Sequence, residues 1–232
     1  MENRFHLYNI YGGKMKYVIF VVLVLISYVL GSIPFGVIIG RSKGKDLTKE
    51  GSGNIGTTNA TRVLGIVSGL AVGICDILKG TIVIIVIHIL EHYNVWYNPI
   101  IVDGESLYVI YGFAAVIGHC YSCFLNKKGG KAVATSFGVL LVCFPWASLG
   151  AAIIFAITLV IWGYVSVSST SATLTGLIMS WIIYGINDGN YISCIFLTLM
   201  AILIVIKHKE NYKRLVEGTE SCFKKNKGLH HV

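Results

Sequence analysis

YVIFVVLVLISYVLGSIPFGVII, residues 17–39, decides the fold: 23 residues without a single charge. About 20 helical residues cross the roughly 30 Å hydrocarbon core of a bilayer, so this run is long enough to span. No small-residue cleavage site follows it, which argues for a retained span rather than a signal peptide. Its second half carries Gly31-Ser32-Ile33-Pro34-Phe35-Gly36, a pattern that predicts a kink or close packing against neighbouring helices.

The rest of the chain agrees. Of its 232 residues 55% are hydrophobic and 13% charged, with a mean hydropathy of +0.72, whereas about a quarter of the residues of a soluble domain are charged. Such a chain cannot cover a water-facing surface, so we read an integral membrane protein built as one helical bundle. The net charge of +8 sits in a few loops and the tail, which fits membrane orientation and anionic head groups rather than nucleic acid.

Further apolar runs give an all-α bundle of about seven transmembrane helices, several of them short. In Val63–Leu90 the charges Asp76 and Lys79 predict a half-helix before Asp76 and a span from about Ile77 to Leu90. A third span covers about Leu107–Gly118. Pro145 divides Lys131–Val165 into spans four and five, and the turn Asn187-Asp188-Gly189-Asn190 divides Thr173–Ile206 into spans six and seven. Seven crossings place the termini on opposite sides. One side receives Arg41, Lys43, Lys45, Lys49, Arg62, Lys127, Lys128, Lys131, Lys207, Lys209, Lys213 and Arg214; the loops of the other hold Glu91, Asp103, Glu105 and Asp188. The basic side reads as cytoplasmic, with the C-terminus inside and the N-terminus outside, against the weaker opposing pull of Arg4, Lys14 and Lys16.

All the polar, glycine-rich segments then fall on the cytoplasmic side. Residues 51–65, Gly-Ser-Gly-Asn-Ile-Gly-Thr-Thr-Asn-Ala-Thr-Arg-Val-Leu-Gly, hold four glycines, four hydroxyls, two Asn and one Arg, with no acid. Bare glycine backbone admits an anion closely, and hydroxyls, amides and a guanidinium add donors. Ser52 and Arg62 are the leading phosphate ligands here, Arg for its bidentate reach. Asp76 and Lys79 lie three apart, on one helix face, and can pair. Gly118-His119 precede Lys127-Lys128-Gly129-Gly130-Lys131-Ala132-Val133-Ala134-Thr135, where glycines and lysines before a helix start predict an anion site. The Walker A spacing is absent. Gly163-Tyr164-Val165-Ser166-Val167-Ser168-Ser169-Thr170-Ser171 reads as a hydroxyl cap on span six. In the tail, His208 and Asn211 share a helical face. Cys75, Cys143 and Cys194 lie in or beside apolar runs and read as small core residues. Cys120 and Cys123 form a lone C-x-x-C without a second pair, so no metal site is expected.

Taken together, these segments resemble the bacterial acyl-phosphate–glycerol-3-phosphate acyltransferases. The family pattern comprises G-S-I-P-F-G, G-S-G-N-x-G-x-T-N-x-x-R-x-x-G, D-x-x-K-G, G-H-x-F-P-x-F-x-x-F-K-G-G-K-G-V-A-T, Y-V-S-L-x-S and H-R-x-N-x-x-R-L. The match runs in order from about Gly31 to Glu220. Ser122 stands for Pro, Lys127 for Phe, Ala132 for Gly, and Gly163 where Arg is frequent.

The resemblance implies an enzyme that transfers the acyl group of an acyl phosphate to the 1-hydroxyl of sn-glycerol 3-phosphate. Lysophosphatidic acid and phosphate would be the products, in the first committed step of phospholipid synthesis at the cytoplasmic face of the bacterial cell membrane. It implies Ser52, Arg62, Lys131, Ser169, His208 and Asn211 as catalytic positions. Around them, Gly51, Gly53, Asn54, Thr58, Asn59, Lys79, His119, Lys128, Gly129 and Gly130 would bind substrate phosphate, with Gly129-Gly130-Lys131 taking the leaving phosphate. The partners expected are the two substrates and membrane lipid, with no cofactor. On this reading residues 1–16 form an outer extension, 17–206 the transmembrane acyltransferase domain and 207–232 a basic cytoplasmic tail. No His has an Asp five positions after it, so the H-x-x-x-x-D pair of thioester-dependent acyltransferases is missing. The resemblance also implies that the acceptor's own phosphate takes the hydroxyl proton, with His208 as rival base. An anion transporter and a non-catalytic scaffold are the competing classes.

Overall fold

The computed structural model describes residues 15–93, 95, 98–102 and 105–223. Most of the expected outer extension, the end of the basic tail and Asp103 lie outside the described residues.

Helix α1, Met15–Ser32, takes in the first part of the charge-free run 17–39. Pro34 has no N–H to donate, so the helix stops there and restarts as α2, Phe35–Ser42. An irregular loop leads to α3, Thr57–Leu64, and then to α4, Ile66–His92. Two short strands, Ile101–Val102 and Glu105–Ser106, pair antiparallel beyond it. Helix α5, Val109–Cys120, ends in a tight turn, Cys123–Leu125; α6 is Val133–Cys143. Pro145 opens α7, Pro145–Trp162, at a first-turn position where its missing N–H costs nothing. Helix α8, Val165–Ser180, continues as a π-helical segment, Trp181–Asn187. Helix α9, Tyr191–Lys207, and the amphipathic α10, Lys209–Val216, meet at a bend of 46°.

Four of the described units are long and apolar enough to cross a bilayer: Met15–Ser42, Ile66–His92, Pro145–Trp162 and Val165–Asn187; the α9–α10 pair makes a fifth if counted as one span. Helices α5 and α6 are shorter apolar helices. Exposed stripes such as Val18, Val22, Leu25 and Val29 on α1, and Leu149, Ile153 and Ile157 on α7, form the lipid-facing surface.

Two boundaries differ from the sequence reading. Asp76 and Lys79 do not interrupt a helix: α4 runs continuously through them, because they neutralise each other inside the protein. The short polar helix is instead α3, upstream of Gly65. The segment 163–171 is not a cap either. Helix α8 already begins at Val165, and Ser168, Thr170 and Thr173 bond back to the carbonyls four residues earlier, at 3.0, 2.9 and 2.8 Å.

Lipid supplies no hydrophobic drive between helices, so close backbone approach holds the bundle. A Cβ at Gly31 would collide with the backbone of Ala115, and one at Gly118 with the carbonyl of Tyr28; these two glycines seat α1 on α5. Gly80 and Gly138 seat α4 on α6, against the carbonyls of Thr135 and Ile77. Ile84, Val116, Val139, Phe144, Leu197 and Met200 fill the core between these helices.

This packing gathers the polar segments at one end. Ser122 donates its hydroxyl to the Ser32 carbonyl at 2.6 Å, joining the end of α1 to the turn after α5. Lys207, ending α9, donates to the Cys120 carbonyl at 3.1 Å and lies 4.0 Å over the Tyr121 ring. Tyr212 of α10 and Thr170 of α8 share a 2.8 Å hydrogen bond. At the opposite end, Glu91 accepts from the Asn98 N–H at 2.7 Å and bonds the Tyr108 hydroxyl.

Candidate active site

The polar end has three parts. The outermost is the loop 43–56 with α3. Gly51 and Gly53 sit at φ +63° and +70°, the left-handed region that glycine tolerates without strain. Asn59, expected to bind substrate, is buried and fully engaged instead. Its amide donates to the carbonyls of Leu47 (3.3 Å) and Glu50 (2.9 Å), and its Oδ1 accepts from Ser52 N–H at 2.9 Å. It staples the loop in shape. Asn54 likewise serves a turn, accepting from Gly56 N–H at 2.9 Å. What the loop and α3 present outward is the Ser52 hydroxyl and the Arg62 guanidinium, on exposed residues, neither group in a hydrogen bond or ion pair among the described residues. Thr58 lies half-buried in the first turn of α3.

The second part is closed. Asp76 and Lys79 pair at 2.9 Å, and His119 Nδ1 lies 3.6 Å from the same carboxylate oxygen, a polar contact rather than a hydrogen bond. Lys79 also donates to the Ile33 carbonyl at 3.1 Å, at the break between α1 and α2. All three side chains are no more than 4% exposed. Lys79 and His119 were expected to bind phosphate; the structure spends them on this internal network.

The third part is where α5, α6, α8 and α10 meet. Gly129 and Gly130 were expected to offer their N–H groups to phosphate. They donate instead to the carbonyls of Cys120 (3.2 Å) and His119 (3.1 Å), closing the end of α5. Their missing side chains allow that approach, since a Cβ at either would collide with His119 or Cys120. The free donors come one step later. Val133, Ala134 and Thr135 form the first turn of α6, which has no side-chain cap and whose N–H groups have no intrahelical acceptor. Ala132 precedes them at φ +59°, the left-handed conformation. That explains glycine in the family pattern: the position needs positive φ, and alanine holds it with its methyl buried in the core.

The Lys131 ammonium bonds Asn211 Oδ1, and Asn211 Nδ2 donates to Glu220 Oε1 at 2.7 Å. Arg214 pairs with the other Glu220 oxygen at 2.9 Å. His208 sits at the α9–α10 bend, its Nδ1 2.8 Å from the Ile204 carbonyl. As the Nδ1–H tautomer it donates there and leaves Nε2 as an acceptor. Ser169, buried on α8 one residue before Thr170, has a hydroxyl without a hydrogen-bond partner among the described residues. Lys128 is exposed, three residues before Lys131.

Burial shapes the charges. Desolvation draws the Lys131 ammonium down to about 8, with Glu220 opposing and Arg214 assisting. It draws His208 down to about 4, against the bond to Ile204, so this imidazole is neutral at physiological pH. Burial works against the Glu220 carboxylate, but hydrogen bonds from Asn211 and Arg214 outweigh it and hold the group below its usual range. The site is thus a cationic, donor-rich pocket with one fixed counter-charge. A cavity of about 60 Å³ adjoins it, lined by Val133, Ser136, Thr173 and Ile204 with apolar neighbours on α6 to α9.

The roles of Ser122, Glu220 and Arg214 were not foreseen. Ser122, a departure from the family's Pro, uses the hydroxyl that Pro lacks to reach α1. Only the fold-back of residues 217–220 onto α10 brings Glu220 to Asn211 and Arg214; in sequence it is one tail acid among several. Cys120 is buried and Cys123 exposed, so the C-x-x-C pair is split between two environments.

Residues 21–218 match the model of the glycerol-3-phosphate acyltransferase family. A glycerol-3-phosphate acyltransferase of Desulfotalea psychrophila is 42% identical over 205 residues, 87% of this chain and 96% of that protein. One from Bacillus anthracis is 38% identical over 202 residues, 87% and 97% of the two chains. The crystal structure of PlsY, an integral membrane glycerol 3-phosphate acyltransferase in its glycerol 3-phosphate form, superposes with a TM-score of 0.76 at 33% identity, covering 88% of this chain and 94% of that one. Its lysophosphatidic acid form superposes with a TM-score of 0.74. Motifs, fold and relatives agree: the chain belongs to the glycerol-3-phosphate acyltransferase family of integral membrane enzymes.

Proposed function

We propose that the protein transfers the acyl group of an acyl phosphate to the 1-hydroxyl of sn-glycerol 3-phosphate, on the cytoplasmic side of a bacterial cell membrane, with its N-terminus outside and its C-terminus inside. The observation that carries this reading is the pairing of Lys131 with Asn211 at the uncapped start of α6, beside an apolar cavity. A lysine, free helix N–H groups and the Ser169 hydroxyl suit a phosphate, and the cavity between α6, α8 and α9 suits the first carbons of an acyl chain. Ser52 and Arg62 of the outer loop supply the hydroxyl and guanidinium for the second phosphate.

In the reaction the acceptor oxygen attacks the acyl carbonyl carbon. The bond from that carbon to the phosphate oxygen breaks, and inorganic phosphate leaves. Lys131 and the α6 N–H groups offset the charge that gathers on the departing phosphate. The proton has two candidate acceptors, and their basicity decides between them. A phosphate monoester has a second pKa of about 6, whereas His208 is held near 4. The acceptor's phosphate is therefore the better base, and His208 serves to place the hydroxyl.

The test is phosphate release by the purified protein in detergent, given an acyl phosphate and glycerol 3-phosphate. Release that requires glycerol 3-phosphate and is lost in Arg62→Ala supports the proposal. Release independent of glycerol 3-phosphate, or none from intact protein, overturns it. Equal turnover with an acyl thioester would overturn the choice of donor.

A further inference from the structure

We infer that the buried group Asp76, Lys79 and His119 is a positioning device for Lys131, with Asp76 acting through His119 on the Gly129–Gly130 turn. The contacts form an unbroken path. Asp76 holds Lys79 at 2.9 Å and faces His119 Nδ1 at 3.6 Å. The His119 carbonyl accepts from Gly130 N–H at 3.1 Å, and a Cβ on Gly130 would collide with ring atom Nε2. Ring and carbonyl of one histidine thus grip one glycine from two sides. The next residue is Lys131, whose ammonium bonds Asn211. A second contact braces the segment just after Lys131 from α4, where Gly80 packs on the Thr135 carbonyl in the first turn of α6. Lys79 fixes the frame by holding the Ile33 carbonyl at 3.1 Å.

A purely structural ion pair would need only its two charges, and replacing both by apolar groups of similar volume would restore it. The geometry here has a third member that such a replacement leaves unserved. His119 Nδ1 is buried and makes no hydrogen bond among the described residues, and the Asp76 carboxylate is the polar group facing it. Losing that group leaves the ring free to turn away from Gly130 and lets Lys131 drift from Asn211. The inference rests on the proposed function only in making Lys131 a substrate ligand.

Two double variants test it: Asp76→Asn with Lys79→Met, and Asp76→Leu with Lys79→Met. Both remove the buried charges; only the first keeps a polar group facing His119. Two readouts are taken on detergent-purified protein. One is the labelling rate of Lys131 by an amine-reactive reagent at fixed pH, read by peptide mass spectrometry. The other is the KM for the acyl phosphate. Both variants lose the Lys79 contact to Ile33 alike, so the Asn variant is the reference for the Leu variant. The expected result is that in the Leu variant Lys131 labels several-fold faster, and KM rises about tenfold with a smaller change in kcat. Equal labelling in both variants overturns the inference, whatever the activity. Faster labelling in the Leu variant, in a protein whose wild type shows no turnover, sustains the positioning role and overturns the proposed function instead. If the Leu variant fails to fold, His119→Leu beside His119→Asn makes the same comparison from the other partner, and equal Lys131 labelling there overturns the inference.

Discussion

Two polar networks share one end of this bundle, and they differ in what they leave unfinished. Asp76, Lys79 and His119 are closed: the charges meet inside, and no side chain is more than 4% exposed. Around Lys131, Asn211, Glu220 and Arg214 the network is open. An uncapped helix start, the Ser169 hydroxyl, the His208 Nε2 and, on the outer loop and α3, Ser52 and Arg62 all retain donors or acceptors. Residue types do not separate the two, since each holds a lysine, an acid and a histidine within reach. What separates the closed network from the candidate site is spare hydrogen-bonding capacity.

The sharpest way to break this comparison is to remove one charge from each. Asp76→Leu leaves Lys79 buried without its counter-charge and should cost about 3–5 kcal/mol, read as a lower unfolding temperature in detergent. Lys131→Met should unfold within a few degrees of the wild type yet lose about 100-fold or more in kcat/KM. Equal thermal losses would erase the distinction between closed and open.

A pH profile sharpens it next. Lys131 is charged below about 8 and loses its proton as the pH rises through that value. The KM for the acyl phosphate should therefore climb above pH 8, by up to about tenfold per unit. Lys131→Arg, charged throughout, should flatten the rise. His208 titrates near 4, so it should leave no break between pH 5 and 9, and a His208-dependent break near 6.5 would refute the buried neutral imidazole. Smaller still is the effect of cutting the Ser122–Ser32 tie: Ser122→Ala should cost about 1–3 kcal/mol, seen by thermal unfolding.

The smallest effect concerns Ala132. Alanine at φ +59° carries about 1–2 kcal/mol of backbone strain, which its buried methyl, worth about 0.8 kcal/mol, partly offsets. Ala132→Gly trades one for the other and gives glycine its extra unfolded-state entropy, so stability should move by less than about 1 kcal/mol. Ala132→Val, β-branched at positive φ, should destabilise by more than 2 kcal/mol, within the range of about 1–3 for such strain. A large gain from Ala132→Gly would show that the methyl packs against nothing useful.

Much of the architecture was legible in the chain. Apolar runs, Pro34, Pro145 and the Asn187–Asn190 turn mark the helices because a bilayer demands length and apolarity, and proline and glycine interrupt both. The asymmetry of lysine and arginine foretold which segments share an end. The one misplaced span followed from treating Asp76 and Lys79 as hydration signals, when their partner was each other.

Sequence alone determined the class of the protein, the apolar runs that become its helices and the residue types gathered in its candidate site, because these depend on composition and local spacing. Tertiary structure decided the assignments within the site. It made Asn59 a loop staple, Lys79 and His119 an internal support, and Gly129 and Gly130 donors to α5 rather than to a ligand. It also brought Glu220 back to Asn211. A hydrogen-bond donor is identified by residue type, but whether it is still free depends on what the fold has already placed against it.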